Sequence, residues 1–387
     1  PAYVDTGHLL FTLGDTLMAV AFDASRLSVI GEPVAFVQGI RGAGNATADY
    51  AISANGTLVY VPATAEVVSD TAVVWVDRSG KVLGRAVPEL VANPSDPRLS
   101  PDGGRLLLTV VGQSGPNVAV YDAKRDSVPR NLSFDGASVD PVWIEKNGEY
   151  VAYLVIGGAR LARTGRLHWR RTDGGEPQPL LPDALGISTG SFNAETNHLA
   201  FVAVESQSGP GRGRSARRGI FTVSVTEDGG QLKAGVPERF SSREFTELDP
   251  QYSPDGRWLA FVTDKSGRSE VWVRAVSAGQ AGLRYERQMS SNGGTNPRWS
   301  RTKNELLFQS GDVILAAPYT IKGDTLEPDK PAVRVEKVGG IQWDLARDGR
   351  IAVIAPVNPA DQKEKAPAEH TVVFLQNLFD EVRRRVK

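Results

Sequence analysis

Cysteine is missing from all 387 residues, and that absence excludes disulfides, thiolate nucleophiles and zinc–sulfur sites together. Histidine is scarce, limited to His8, His168, His198 and His370, and none falls in an HxH or HExxH spacing. Surface or packing roles fit them, and no metal or cofactor is expected. The DxDxDG calcium loop is missing too. No stretch nears the ~18 consecutive apolar residues of a membrane span. Neither sign of charge is in excess, with 44 Lys and Arg against 45 Asp and Glu, so there is no global field to draw in nucleic acid or an anionic membrane. An initiator methionine is also lacking. With Pro1 first, the expectation is a processed form or a fragment, its signal peptide or anchor removed. A cysteine-free chain suits export.

What is plentiful is turn chemistry, with 40 glycines and 24 prolines. The stretch QYSPDGRWLAFVTDKSGRSEVWVRAV, from Gln251, shows their use. Pro254 presets φ, Asp255 can bond nearby backbone, and Gly256 accepts the positive φ that closes a hairpin. A short apolar strand, a polar loop and an alternating strand follow. The same order recurs as ISANGTLVYV, LSPDGGRLLLTV, WIEKNGEYVAYLV, FNAETNHLAFVAV, WSRTKNELLFQS and LARDGRIAVIA. An eighth copy begins at His8, where HLLFTLGDTLMAVAFDASRLSVIGEPVAFV parallels ELLFQSGDVILAAPYTIKGDTLEPDKPAVRV from Glu305. A period of roughly 47 residues fits four strands per unit, the size of a propeller blade. Such sheets bury their faces only against each other.

Ahead of the turns, DPRLSPDG, DPVWIEKNG, DPQYSPDG and NPRWSRTKN place Asp96, Asp140, Asp249 and Asn296 just before proline. Asp49, Thr189 and Gln342 align with them. Ring closure gathers these positions around one mouth of a central channel. Two readings stand side by side: the side chains bond backbone of the incoming loop, or they form a carboxylate rim for a cation or basic peptide. Trp143, Tyr252 and Trp299 read as wedges between blades.

SPDGRWLAFVTDKSGRSEVWVR resembles the TolB-type repeat, a relative of the WD-type blade. Together with HLLFTLGDTLMAVAFDASRLSVIGEPV, ISANGTLVYV, VVWVDRSGK and the closing TVVFLQNLFDEVRRR, it is similar to the propeller region C-terminal to many bacterial serine/threonine kinases. The resemblance runs over essentially the whole chain and implies an extracytoplasmic sensor or scaffold. The chain departs from the pattern where SPDG becomes IEKNG, NAETN or SRTKN. The kinase signatures themselves, the Gly-rich loop, HRD and DFG, are missing.

Gly186-Ile187-Ser188-Thr189-Gly190 matches the G-x-S-x-G elbow of α/β-hydrolases, but that elbow needs a helix after it and none is patterned here. Small residues at a blade crossover explain it better. Arginines cluster in the loops between second and third strands: Arg160 and Arg163 in one unit, Arg212, Arg214, Arg217 and Arg218 in the next, and Lys265 and Arg268 after that. Arg166, Arg170 and Arg171 follow the first of these loops, while Glu66 and Asp70 mark the opposite charge elsewhere. The sector reads either as solvated loop or as a surface for an acidic partner, since Arg favours carboxylate and phosphate. No aromatic residues interleave with it, which argues against nucleic acid. Leu375, Leu378, Phe379, Val382 and Val386 recur at helical spacing near the C-terminus.

The sequence therefore predicts an all-β fold. A single closed β-propeller of about eight four-stranded blades, seven being the alternative, spans 1–375, with a short amphipathic helix over 376–387 docked on it. The function expected is a non-enzymatic binding module, a sensor or scaffold in the periplasm or at the cell surface, recognising a protein or small ligand. The alternative is a propeller hydrolase or lyase acting at the channel mouth.

Overall fold

The computed structural model describes the chain except residues 1, 14–15, 41, 44–46, 49, 54, 63–70, 78, 89–90, 92, 113–114, 125–128, 145–147, 157–164, 206–216, 243, 278–284, 339, 341, 357–371 and 387; the side chains of 42–43, 47–48, 182–185, 187, 204–205 and 217 are likewise left undescribed. The expected turn forms at Ser253, whose hydroxyl donates to Asp255 Oδ1 at 2.5 Å and accepts from Trp258 N at 3.0 Å. Gly256 closes it at φ 69° with its N–H on the Ser253 carbonyl, 2.9 Å away. Ser100 and Gly103 repeat the arrangement, Gly103 N donating to the Ser100 carbonyl at 2.9 Å. In NAETN, Asn193 substitutes for serine, its Oδ1 accepting from Glu195 N and Thr196 N, both at 2.9 Å.

These turns fold the chain into an all-β propeller whose sheets follow strand order antiparallel. Blade A holds the strands Ser95–Leu99, Arg105–Gly112, Gly115–Asp122 and Arg130–Asn131. Blade B holds Ser138–Ile144, Tyr150–Ile156 and Gly165–Arg171, and passes into blade C through the long strand Gly174–Asn193. Blade C continues with His198–Glu205 and Arg217–Asp228. Blade D runs from Glu247–Tyr252 to Glu286–Gln288, and blade E from Thr295–Trp299 to Ala332–Val335. The repeat count matches the sheet units, but their arrangement is not a single circle of consecutive blades.

Blade F is assembled by exchange. The strands Trp343–Leu345 and Ile351–Pro356 from the C-terminal part take as their outer half Thr71–Val76 and Val82–Arg85 from the N-terminal part. The inner strand of blade F then packs beside those of blades E and A, so blades A to F close a ring of six. Besides the two-stranded pair Gly42–Ala43 with Thr47–Ala48, two sheets are left over: Ala2–Val4 with His8–Leu13, Thr16–Asp23 and Ser28–Val37, and Tyr50–Ile52 with Leu58–Tyr60 and Val373–Leu375. Val373–Leu375, the third strand of the last repeat, has been traded for the hairpin given to blade F. These two sheets and the helix Leu378–Arg385 share their own core, built on Leu10, Leu17, Leu58, Leu378 and Val382. We call this the companion unit. It is built largely from the stretch of chain that an eight-bladed circle would use for two further blades between F and A, which here pack directly on each other.

The wedges sit as expected. Trp143 packs on Leu107, Val118 and Val120 of blade A and donates its indole N–H to the Arg98 carbonyl at 2.9 Å. Trp299 does the same toward blade D, bonding the Gln251 carbonyl at 2.9 Å, and Tyr252 packs on Ala200, Val202 and Ile220 of blade C. Each aromatic thus seals one blade onto the preceding one, removing on the order of 150–250 Å² per ring from water. Inside blade D, Arg274 is gripped bidentately by Glu247 at 2.9 and 3.0 Å and lies 4.5 Å from the Phe261 ring centroid.

Candidate functional site at the channel mouth

Asp96, Asp140, Thr189, Asp249, Asn296 and Gln342 occupy equivalent positions on or just before the six inner strands, one per blade. Asp96, Asp140, Asp249 and Asn296 hold φ of 51°, 53°, 50° and 51°. Proline after each disfavours the right-handed helical region, and Asp and Asn tolerate the left-handed one better than other side chains. The strand register shifts at all four, so each start is a bulge. Local sequence thereby sets a ring of short polar side chains at one mouth.

Two residues further along each strand, a second tier follows: Arg98, Val142, Ser191, Gln251, Arg298 and Asp344. The tiers lace neighbouring blades together. Asp140 Oδ2 accepts from Thr189 N at 2.7 Å, and Thr189 Oγ1 donates to the Asp140 carbonyl at 2.8 Å. Asp344 Oδ2 accepts from Leu99 N at 2.7 Å, and Asp96 exchanges hydrogen bonds with Gln342 at 3.1 and 3.3 Å. Ser191 Oγ accepts from Tyr252 N at 2.7 Å. The reading that mouth side chains bond backbone of the neighbouring blade thus holds for Asp140 and Gln342, whereas the Asp96 carboxylate meets the Gln342 side-chain amide.

Charge is unevenly settled. Arg298 Nε donates to Asp344 at 3.0 Å and Arg98 lies 3.5 Å from Asp140, which leaves Asp96 and Asp249 without an ion pair among the described residues. No hydrogen bond reaches the Asp249 carboxylate among those residues. Burial pushes the Asp140 carboxyl up to about 7, helped by the Asp96 and Asp249 charges and opposed by Arg98 and the Thr189 N–H. Burial also lowers Arg298, assisted by Arg98 and resisted by Asp344 and Asp249. The mouth is a mixed-charge cluster with surplus carboxylate. Its second tier, Arg98, Arg298 and Asp344, was not singled out in the sequence, although period-two alternation places those positions on the same side as the first tier.

Other expected residues fall elsewhere. Asp49, Arg160, Arg163, Arg212, Arg214, Glu66, Asp70 and His370 lie outside the described residues, and of Arg217 only its place in the strand Arg217–Asp228 is described. Arg218 is exposed. Arg268 is tied to Glu270 at 2.8 Å and to the Ser291 carbonyl at 2.5 Å. Arg170 and Arg171 do not share the loop face: they pair with Val151 and Tyr150 at the far end of blade B, because the third strand runs away from the loop before it. Ser188 lies within the strand Gly174–Asn193, opposite Val202, so its surroundings are a strand pair rather than a nucleophile elbow. Gly186 and Gly190 there meet Leu154 and Pro250, where a Cβ would come to 2.7 and 2.5 Å. Among the described residues no three His, Asp or Glu form a metal-holding group, and no helix is long and apolar enough to cross a membrane.

No protein-family model matches the chain. It is 25% identical over 205 residues to an uncharacterized peptidase, YuxL, of Bacillus subtilis, a match covering 44% of this chain and 29% of that protein. The chain thus spans less than a third of the length of this curated relative. Among solved structures it is similar to a putative TolB from Agrobacterium tumefaciens, with 17% identity, 74% of this chain and 98% of that chain covered and a TM-score of 0.49. It is also similar to TolB from Acinetobacter baumannii, with 13% identity, coverage of 85% and 82%, and a TM-score of 0.44. The expectation of a non-enzymatic chain is corrected by the sequence match, which runs to a protein named as a peptidase. The chain is an all-β propeller.

Proposed function

We propose that the chain is the recognition propeller of a peptide-hydrolysing system outside the cytoplasm, holding the cationic part of a polypeptide at the acid-rimmed mouth. The observation that carries this reading is the Asp249 carboxylate, which has no hydrogen bond among the described residues and stands in the field of Asp140 and Arg298. An ammonium group, from a peptide N-terminus or a lysine, would relieve the repulsion among Asp96, Asp140 and Asp249 that adds to burial in drawing a proton onto Asp140. The match to a peptidase supplies the hydrolytic context, and the propeller's contribution is to select and hold the polypeptide. The cysteine-free composition and the resemblance to TolB-type repeats support a place outside the cytoplasm.

Fluorescence anisotropy tests this with a lysine-rich peptide and its fully acetylated counterpart, on wild type and Asp249→Asn. The amine-bearing peptide should bind at least tenfold more tightly than the acetylated one, a difference of about 1.4 kcal/mol. Asp249→Asn should erase that preference, and affinity should rise with pH through neutrality as Asp140 gives up its proton. Equal binding of the two peptides, or an unchanged preference in Asp249→Asn, overturns the assignment. Mass spectrometry of the same mixtures reads whether bound peptides are cut.

A further inference from the structure

The companion unit does not lie flush against the ring. Between its first sheet and the outer edges of blades A and B runs a cleft of about 800 Å³, within the size range of small-molecule sites. Phe11, Met18, Val34 and Phe36 line it from the companion side and Phe134 from blade A. Arg130 and Arg170 line it from the ring. The cleft therefore has one largely apolar wall and one polar wall, on which Arg130 and Arg170 stand among Asp135, Asp173 and Glu176.

Arg170 Nε on this wall lacks a partner among the described residues, as does the hydroxyl of Tyr153, a residue with no exposed surface that does not itself line the cleft. The two lie in each other's electrostatic field. Orphaned buried donors ask for an occupant. Arg170 spends one terminal nitrogen on the Leu132 carbonyl, and Arg130 donates to the Thr172 carbonyl at 2.8 Å, so neither guanidinium is ion-paired among the described residues. The nearby acids are committed. Asp135 accepts from Ala137 N and Ser138 Oγ at 2.9 Å, and Asp173 binds Arg171 at 2.9 Å. Burial raises the Glu176 carboxyl, Glu32 beside it adds hydrogen bonding and repulsion, and the Arg170 charge opposes them.

We propose that this cleft binds an amphipathic monocarboxylate, its carboxylate on Arg170 and its hydrocarbon along Phe11, Met18, Val34 and Phe36. Arginine offers the planar donor set that a carboxylate fits, and an apolar wall opposite accommodates a chain with no polar atoms. The ligand would touch both the ring and the companion unit, so binding would also fasten one to the other.

Isothermal titration with decanoate and with decanol distinguishes the head group from the tail. Decanoate should bind wild type at least tenfold more tightly than decanol, and Arg170→Met should bring it down to the decanol level. Ala35→Trp, which fills the cleft from the companion side, should abolish both. Asp249→Asn should leave decanoate binding untouched, which separates this site from the channel mouth. No binding of decanoate, equal affinity for the two probes, or unchanged decanoate binding in Ala35→Trp overturns the proposal. Should Arg170→Met fail to fold by circular dichroism, the decanol and Ala35→Trp comparisons decide.

Discussion

At Asp140 a side chain serves the ring and carries a charge the ring resists. Its carboxylate caps the Thr189 N–H of the next blade, yet burial and the Asp96 and Asp249 charges raise its pKa to about 7. In an unfolded chain the group titrates near 3.9. The folded state therefore binds the proton more tightly, and stability falls as pH rises from about 4 to about 7. Asp140→Asn removes this titration while keeping an oxygen for Thr189. Scanning calorimetry between pH 4.5 and 7.5 should show wild type losing melting temperature relative to Asp140→Asn across that window; parallel profiles would dismiss the charge conflict. The Asp-Pro and Asn-Pro pairs made this tier legible in sequence, because they single out residues suited to left-handed backbone. The charge balance was not legible, since it depends on which residues of distant blades face one axis.

At the scale of the element, close approach of strands decides what a position tolerates. Gly190 sits where the inner strand of blade C meets that of blade D, and a Cβ there would stand 2.5 Å from the Pro250 carbonyl oxygen and 2.8 Å from that of Ala200. Backbone cannot step aside, so Gly190→Ala should destabilise by roughly 1–3 kcal/mol, the usual range for overpacking. Gly112→Ala, with nothing within 4 Å of the added carbon, should be close to neutral. Urea unfolding of the two variants checks the contrast, and equal stabilities would refute it. The same crowding accounts for the small residues that mimic a hydrolase motif around Ser188. Turns were the most legible elements. Ser, Asp and Gly at fixed offsets dictate the bonds seen at Ser100 and Ser253, and Asn193 reaches the same end by capping two amides where the SPDG pattern lapses.

For the whole molecule, the repeats announced the sheets but not their partners. A hairpin such as Thr71–Arg85 carries the same alternating pattern whether it completes its own unit or the last one, so sequence order alone cannot tell exchange from consecutive blades. The exchange becomes visible only in the register, Ile351 opposite Val76 and Val373 opposite Tyr60. It implies that the ring closes without the C-terminal segment. Truncation after Pro356 removes Val373–Leu375 and the helix, uncovering Leu58 and its neighbours while leaving blade F complete. Hydrogen exchange should then speed up across residues 2–62 and stay slow in the inner strands of blades A and F. Equal loss of protection in both would show that the ring needs the companion unit to close.

The trade of strands also decides how the protein would answer a pull. Both described extremities, Ala2–Val4 and the helix Leu378–Arg385, belong to the companion unit, and Leu58–Tyr60 is zipped to Val373–Leu375 between them and the ring. Tension applied across the chain's ends would travel through that zipper first and bypass the six blades until it gave way. Pulled by these extremities, the companion unit should open first, and a first rupture within blades A to F would contradict this route.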